Sequence, residues 1–356
     1  MVYLNCHTAS SPCGPALERM REAQENTAAH VPYQTIYDLV GADPKDTFAF
    51  TSSGAEAINQ VHWTAFIELA RKEGKCHFIT SALEDAPTAQ SLKRLEELGC
   101  FVKIAPVNAA GRIDVLRLAE LISPRTALLS LSLAQGLTGV IQPIEEIAQI
   151  AKEKGVWLHI DATYALGKIA APFQDIDYLT FSGDRIHSAK GSGGVFAKAG
   201  RPLLPFVVGG SPDVPSLLAL AAAASQSTLF LDAMSLEVAR LRDGLEERIL
   251  QAIPAAKVLF QNSLRLPNVS VLCFPTAHQE ALLYLLQRKN VFASIGGGEQ
   301  PSLQQVLRAS GIDEQLAQTA ISFSLSRYTT QEDIDRAIPT IVEIVAHLSS
   351  LSAELF

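Results

Sequence analysis

The stretch 178–194, YLTFSGDRIHSAKGSGG, places hydroxyls, a basic side chain and glycines directly after an apolar run. A lysine amine in such a turn can form an imine with an aldehyde. Here the basic residue after the Ser-Gly turn is Arg185, and Asp184 precedes it. A guanidinium stays protonated, so Arg185 is a very poor amine nucleophile. Lys190 is the next amine along the chain. We predict that Asp184 and Arg185 form an ion pair or bond into a neighbouring cleft.

Polar and small residues also follow other apolar runs. Asp161 ends the run VWLHID, and Ser182 ends DYLTFS. Each side chain can face a ligand or simply bond within its own turn. The segment 52–57, SSGAEA, opens a helical pattern, and Gly54 and Ala55 leave backbone N–H groups free at its start. Such a helix N-terminus suits a phosphate, although small residues there also serve packing alone.

The elements that must position these residues alternate along the chain. The β-rich runs TFAFTS, CHFITS, FVKIAPV, TALLSLSL, VWLHIDA and DYLTFSG are separated by helical patterns. Strands that are apolar at nearly every position indicate an α/β fold with a mostly parallel central sheet covered by helices. Ligands bind such sheets at the carboxyl ends of the strands. After about Met234 the pattern changes, which predicts a smaller α+β domain.

Composition and charge exclude several classes of protein. The chain has 356 residues and a net charge of -8, without a block of basic residues, so nucleic acid is not an expected partner. The N-terminal stretch lacks the pattern of a secretory signal, and the longest apolar run, 216–225, is too short to span a bilayer. We expect a cytoplasmic protein that does not bind membranes. The five cysteines lack CxxC spacing, which favours free thiols and no metal site.

Four long stretches, in this order, resemble the cysteine desulfurase group of fold-type-I pyridoxal-phosphate (PLP) enzymes, the class V aminotransferases. They are LVGADPKDTFAFTSSGAEAIN, GVIQPIEEIAQIAKEKGVWLHIDATYALGK, DYLTFSGDRIHSAKGSGGVF and AISFSLSRYTTQEDIDRAI. The resemblance implies the PLP fold type I and a homodimer. It places a large cofactor-type domain at 13–234 and a small α+β domain at 1–12 plus 235–356.

The resemblance also implies roles for individual positions. Asp161 stands where the family pairs a carboxylate with the pyridine nitrogen, and Ser182 stands at a phosphate-binding serine. Gly54 precedes Ala55, which replaces a phosphate-binding threonine. The stacking histidine is replaced by Asp85 of the Glu84-Asp85 pair, and the asparagine that bonds the phenolic oxygen is replaced by Gln135. The predicted cofactor-site positions are therefore Asp161, Ser182, Gly54, Ala55, Gln135, Asp85 and Arg185.

Three further positions bear on catalysis. The family has its imine-forming lysine where this chain has Arg185. Its sulfur-carrying cysteine belongs to the loop that corresponds to 291–311, which contains no cysteine here, and Ser322 stands at the arginine that grips the substrate carboxylate. Arg327 is retained, in a neighbourhood that is at least as consistent with a structural role.

Two functions remain open. The first is a non-catalytic or strongly impaired relative of cysteine desulfurases. It would bind a partner, such as an active desulfurase or an iron-sulfur assembly protein, or a small molecule in the former cofactor cleft. The second is a PLP-dependent enzyme of altered mechanism, with PLP held noncovalently over Asp161 or attached through Lys190. In either case PLP is not expected as an imine at the usual position.

Overall fold

The computed structural model describes residues 1–25, 30–171 and 173–355. The strands are β1 Val2–Tyr3, β2 Thr47–Thr51, β3 His77–Ser81, β4 Phe101–Ala105, β5 Thr126–Ser132, β6 Trp157–Asp161, β7 Tyr178–Ser182, β8 Gly193–Ala197, β9 Lys257–Leu259, β10 Val269–Cys273, β11 Val291–Phe292, β12 Gly296–Gly297, β13 Gln300–Ser302 and β14 Ala320–Ser324. The α-helices are α1 Gly14–Glu25, α2 Tyr33–Val40, α3 Gly54–Ala65, α4 Ala86–Glu97, α5 Val115–Leu121, α6 Ile144–Lys154, α7 Val214–Leu229, α8 Leu231–Ala233, α9 Ala239–Ala252, α10 Gln279–Arg288, α11 Leu303–Ala309, α12 Glu314–Ala317 and α13 Gln331–Leu355.

A central sheet of seven strands, in the order β2-β8-β7-β6-β5-β3-β4, organises the larger part of the chain. Strands β4, β3, β5, β6 and β7 run parallel, and β8 pairs antiparallel with both β7 and β2. Strands β3, β5 and β6 are buried along their whole length, as expected for parallel strands that are covered on both faces. The predicted α/β fold with a mostly parallel sheet is confirmed.

Strand β8 was not predicted from the sequence, because its first two residues belong to a glycine-rich run. The glycines permit close packing. A Cβ on Gly193 would lie 2.5 Å from the carbonyl carbon of Ser53, and a Cβ on Gly194 would lie 2.5 Å from the ring of Phe48. Gly193 pairs with both Thr51 and Ser182. The carboxyl ends of β2 and β7 are thus brought together on either side of the start of β8.

A second group of elements follows the central sheet. The antiparallel sheet β14-β10-β9 is accompanied by the parallel pair β1-β11 and the short hairpin β12-β13. One apolar cluster joins Val2 and Leu4, near the N-terminus, to residues between Met234 and Val345. Among the described residues no single helix is long and apolar enough to cross a membrane. In the same described ranges, one bent pair of helical segments, 214–229 and 231–252, is long and apolar enough by length and composition alone.

Candidate ligand-binding cleft

A cavity of about 420 Å³ opens at the carboxyl edge of the central sheet. The loops after β2, β3, β6 and β7 line it, together with Thr8, Ala9 and the hairpin residues 297–300. Six of the seven predicted cofactor-site positions lie in its wall, and so does Lys190: the six are Asp161, Ser182, Gly54, Ala55, Asp85 and Arg185. The fold therefore brings these residues together, while their contact with a cofactor stays a prediction.

Asp161 lies at the floor of the cavity and is 6% exposed. Its Oδ1 accepts hydrogen bonds from the backbone N–H of Thr163 at 3.1 Å, from the hydroxyl of Thr163 at 2.6 Å, and from the hydroxyl of Thr180 at 3.5 Å. Burial raises the pKa of Asp161, and these hydrogen bonds oppose the rise. No hydrogen bond to the second carboxylate oxygen occurs among the described residues, so this oxygen is available to a ligand.

Two buried histidines extend the hydrogen bonding behind Asp161. His62 lies 2.9 Å from Ser91 Oγ through Nδ1 and 2.8 Å from Ser130 Oγ through Nε2. His159 lies 2.8 Å from Ser130 Oγ through Nδ1 and 2.8 Å from Thr180 Oγ1 through Nε2. Since Thr180 donates to Asp161, its oxygen must accept from His159 Nε2–H, and Ser130 must then accept from His62 Nε2–H. The chain of donors points toward Asp161.

Both histidines stay neutral in this chain. Burial lowers the pKa of His62 to about 3 and lowers that of His159 well below its ordinary value. This network is not evident from the sequence, because Ser91, His62, Ser130 and His159 belong to four separate elements. The local signals of it are single polar residues inside apolar strands, Ser130 in β5 and His159 in β6.

Arg185 is 8% exposed, and its Nη1 bonds the carboxylate of Asp184. Asp184 in turn accepts a hydrogen bond of 2.7 Å from the hydroxyl of Ser182. Arg185 Nη2 lies 3.9 Å from Glu299, and its Nε has no hydrogen-bond partner among the described residues. The predicted ion pair between Asp184 and Arg185 is confirmed, and it forms within the cavity wall.

Two lysines lie nearby, in different environments. Lys190 is exposed at the mouth of the cavity. Lys168 is buried, and its Nζ donates to the backbone carbonyl of Arg185 at 3.2 Å. Burial, followed by the charge of Arg185, lowers the pKa of Lys168 to about 7. Lys168 does not line the cavity, so Lys190 is the amine that a ligand there would meet.

The N-terminus of α3 borders the cavity next to Ser182. A Cβ on Gly54 would lie 3.0 Å from Ser182 Cβ, which shows how closely the two segments approach. Ser53 caps the helix by accepting the backbone N–H of Glu56 at 3.1 Å. The Glu56 carboxylate accepts both the backbone N–H and the hydroxyl of Ser52, at 2.8 and 2.6 Å. The Glu56 carboxylate therefore already binds two hydrogen-bond donors next to this helix N-terminus.

A cluster of protonatable oxygens lies at and behind another part of the cavity wall. Asp85 bonds the hydroxyl of Tyr164, and burial raises the pKa of Asp85 to about 8. The neighbouring Glu84 accepts hydroxyl hydrogen bonds from Ser81 at 2.6 Å and Ser132 at 2.5 Å. Burial raises the pKa of Glu84 to about 7 and raises that of Tyr164 well above its ordinary value. Asp85 and Tyr164, which line the cavity, are thus held toward their protonated forms.

The hairpin β12-β13 covers this wall from the other side. Gln300 Nε2 donates to Tyr164 at 3.1 Å, and the backbone carbonyl of Glu299 accepts the N–H of Ala86 at 2.7 Å. Gly296 has φ 80°, and a Cβ there would lie 2.2 Å from the carbonyl oxygen of Pro301. The sequence indicated three glycines in this segment but not that Glu299 and Gln300 reach the cleft.

Gln135 is the predicted cofactor-site position that does not line the cavity. Its Oε1 accepts the backbone N–H groups of Leu137 at 2.7 Å and Thr138 at 2.8 Å, which ties the side chain to its own turn. Its Nε2 is buried and has no hydrogen-bond partner among the described residues, and the contact of Gln135 with a cofactor stays a prediction.

Two further predicted positions serve packing. Ser322 donates to the carbonyl of Leu137 at 2.6 Å, and Arg327 contacts the ring faces of Phe230 and Tyr328. Arg327 also donates to the carbonyl of Ile186 at 3.4 Å. Neither residue lines the cavity, and the structural role suggested for Arg327 fits these contacts.

Comparison with known proteins agrees with this fold. The model of the family "Aminotransferase class-V" matches residues 18–211. A cysteine desulfurase from Nostoc sp. is 35% identical over 362 aligned positions, which cover 97% of this chain and 86% of the relative. The chain belongs to the class V aminotransferases. The cysteine desulfurase NifS of Azotobacter vinelandii is 31% identical, over 97% of this chain and 86% of its own.

Solved structures place this class V aminotransferase beside NifS-like proteins. A structure described as a NifS-like protein superposes with a TM-score of 0.88 at 26% identity, covering 97% of this chain and 99% of that one. DndA from Streptomyces lividans superposes with a TM-score of 0.73 at 26% identity, covering 87% and 94% of the two chains. The PLP fold type I predicted from the sequence is confirmed, and the chain is cysteine desulfurase-like.

PLP is the cofactor of this family, and the cleft of this class V aminotransferase fits it only in part. Asp161 offers a free carboxylate oxygen to a ring nitrogen. The cavity wall also holds the guanidinium of Arg185, paired with Asp184, at the residue where the sequence resemblance leads us to expect the imine lysine. Asp184 also takes the hydroxyl of Ser182, and Asp85 offers no aromatic face for stacking. Within the described residues no group of three or more His, Cys, Asp or Glu is arranged to hold a metal ion.

Proposed function

We propose that this member of the class V aminotransferase family is a non-catalytic or strongly impaired relative of cysteine desulfurases, which uses its cleft for binding. The observation that carries the proposal is Arg185, bonded to Asp184 in the cavity wall at the position of the imine lysine. An arginine does not release a proton near neutral pH and cannot serve as the amine nucleophile. The absence of cysteine from the loop 291–311 and the packed hydroxyl of Ser322 support the same conclusion.

The experiment is reduction of the purified protein with borohydride after incubation with PLP, followed by peptide mass mapping. We expect no visible absorption band of an imine and no reduced adduct in the peptides that contain Arg185 or Lys190. The variant Lys190→Ala is the matched control for non-specific labelling. A stoichiometric adduct on Lys190 that disappears in this variant would contradict the proposal.

A second function is favoured by one observation. Lys190 is an exposed amine at the cavity mouth, and no hydrogen bond or ion pair of its side chain occurs within the described residues. A PLP-dependent enzyme of altered mechanism would attach the cofactor through this lysine or hold it noncovalently over Asp161. The reduction experiment separates these cases, since only attachment through Lys190 leaves a mapped adduct.

Assembly and location follow as proposals from the family resemblance. We propose a homodimer in the cytoplasm that contacts an active desulfurase or an iron-sulfur assembly protein, without binding nucleic acid or membranes. The net charge of -8 supports the last two points, because it opposes attraction to phosphate backbones and anionic lipids.

A further inference from the structure

We propose that the cleft takes a small cation without a phosphate group, either a primary amine or a protonated nitrogen heterocycle. This inference deepens the proposed binding function and rests on it, since it requires a ligand held without an imine. It departs from the phosphorylated cofactor that the family implies, and the reasons are the charges and hydrogen bonds of the cavity wall.

The charged groups in the cavity wall are mainly acidic. Asp161, Asp184 and Glu299 stand against Arg185 and Lys190 in this wall, and the fourth carboxyl group, Asp85, is held toward its protonated form by burial. The charge of Arg185 is already paired with Asp184, and Lys190 is exposed to solvent at the mouth. Within the part of the chain that the structure describes, the buried cation of the cavity wall therefore already has an acidic partner.

The end of the cavity at the start of α3 already contains anions of the protein itself. The Ser182 hydroxyl, which would donate to a phosphate, donates instead to Asp184 at 2.7 Å. The Ser52 hydroxyl and N–H donate to Glu56 at 2.6 and 2.8 Å. A phosphate ester adds a charge of about -1.5 to -2 at pH 7. Placed here, it would meet the Asp184 carboxylate and find two donors already bonded, which costs binding free energy.

The carboxylate of Asp161 in the cavity wall favours a ligand with a positive charge. Asp161 is 6% exposed, lines the cavity and has one carboxylate oxygen that accepts no hydrogen bond from the described residues. Burial raises the pKa of Asp161, while the hydrogen bonds that Thr163 and Thr180 donate to its other oxygen and the charge of Arg185 favour the ionised form. A buried carboxylate with a free oxygen is satisfied by an ammonium or a ring N–H that donates to it.

The dimensions and the remaining wall suit a ligand of this kind. The volume of about 420 Å³ lies in the lower part of the range for small-molecule sites. Asp85 and Tyr164, with pKa values raised by burial, offer hydroxyl-like oxygens beside the floor. These groups accept or donate hydrogen bonds without attracting an anion, so they are compatible with a compact polar cation.

The test compares two probes that differ only in the phosphate, pyridoxamine and pyridoxamine 5′-phosphate. Binding of each to the full-length protein is measured by isothermal titration calorimetry at pH 7 and low salt. We expect pyridoxamine to bind at least about tenfold more tightly, because like charges oppose the phosphate. Asp161→Asn should abolish binding of pyridoxamine, while Asp184→Ala should reduce or invert the preference. Asp175→Asn, at an exposed carboxylate on the surface, is the control that changes neither affinity.

Tighter binding of the phosphorylated probe by the unaltered protein would overturn this inference, and so would failure of a folded protein to bind pyridoxamine at millimolar concentration. Either result leaves the non-catalytic function standing as long as borohydride traps no adduct on Lys190. A trapped adduct together with a preference for pyridoxamine would contradict the non-catalytic function alone. The two proposals can thus fail separately.

Discussion

The proposed non-catalytic function rests on the side chain at position 185. Arg185 keeps a positive charge and forms an ion pair with Asp184. Burial is the main influence on the pKa values of Asp161, Asp85 and Lys168, and the charge of Arg185 lowers all three. Arg185 therefore supplies a fixed cation to an acidic cavity, a role for which a permanently charged guanidinium is well suited.

Asp85 is the residue whose ionisation should be visible in the stability of the protein. Its pKa in the folded protein is raised to about 8. A raised pKa means that its stabilising contribution is fully present below the pKa of the unfolded chain, about 4, and is lost as the pH rises through about 8. Asparagine keeps an acceptor for Tyr164 and does not ionise.

The unfolding free energy of Asp85→Asn, minus that of the unaltered protein, should increase by at least about 1 kcal/mol from pH 5 to pH 9. Urea unfolding of both proteins at the two pH values measures the gain, and Asp175→Asn provides the exposed control. If the difference in unfolding free energy were the same at both pH values, Asp85 would not change its ionisation across this range.

At the scale of elements, strands β5, β6 and β7 carry the hydrogen-bonded chain that ends at Asp161. Ser130 of β5 is the shared member, because its hydroxyl contacts His62 Nε2 and His159 Nδ1, each at 2.8 Å. Removing this hydroxyl leaves two buried ring nitrogens without partners. Unsatisfied buried polar groups cost about 1–3 kcal/mol each.

Ser130→Ala should therefore lower the unfolding free energy by about 2 kcal/mol or more, as measured by urea denaturation. Ser270→Ala is the matched control, since Ser270 is a buried strand serine whose hydroxyl has no hydrogen-bond partner among the described residues. That variant should be nearly neutral. Equal losses in the two variants would mean that the network adds nothing to stability.

How far the sequence predicted these features depends on the distance along the chain between the interacting residues. The strand-end positions Asp161 and Ser182 and the adjacent pair Asp184-Arg185 were predicted, because one strand and its following turn place them. The contact of Gln300 with Tyr164 joins residues 136 apart, and that of His62 with Ser130 joins residues 68 apart. Such contacts depend on how whole elements pack, which no local pattern encodes.

At the scale of the whole molecule, one apolar cluster joins the N-terminus to the second part of the chain. We propose a large domain at 13–234 and a small domain at 1–12 plus 235–356. One cluster of buried residues combines Val2 and Leu4 with Met234 and the elements after it. The pairing of β1 with β11 ties the N-terminus to the same part of the molecule. The cleft lies where the hairpin β12-β13 reaches the edge of the central sheet.

The most direct test of the central claim is an assay of the purified protein, supplied with excess PLP, for release of sulfide and alanine from cysteine. We expect no release above that of PLP alone in buffer, because the cleft has Arg185 in place of an amine and the loop 291–311 has no cysteine. The same assay on Lys190→Ala controls for the one exposed amine at the cavity mouth. Multiple turnovers by the unaltered protein that are lost in Lys190→Ala would contradict a non-catalytic function.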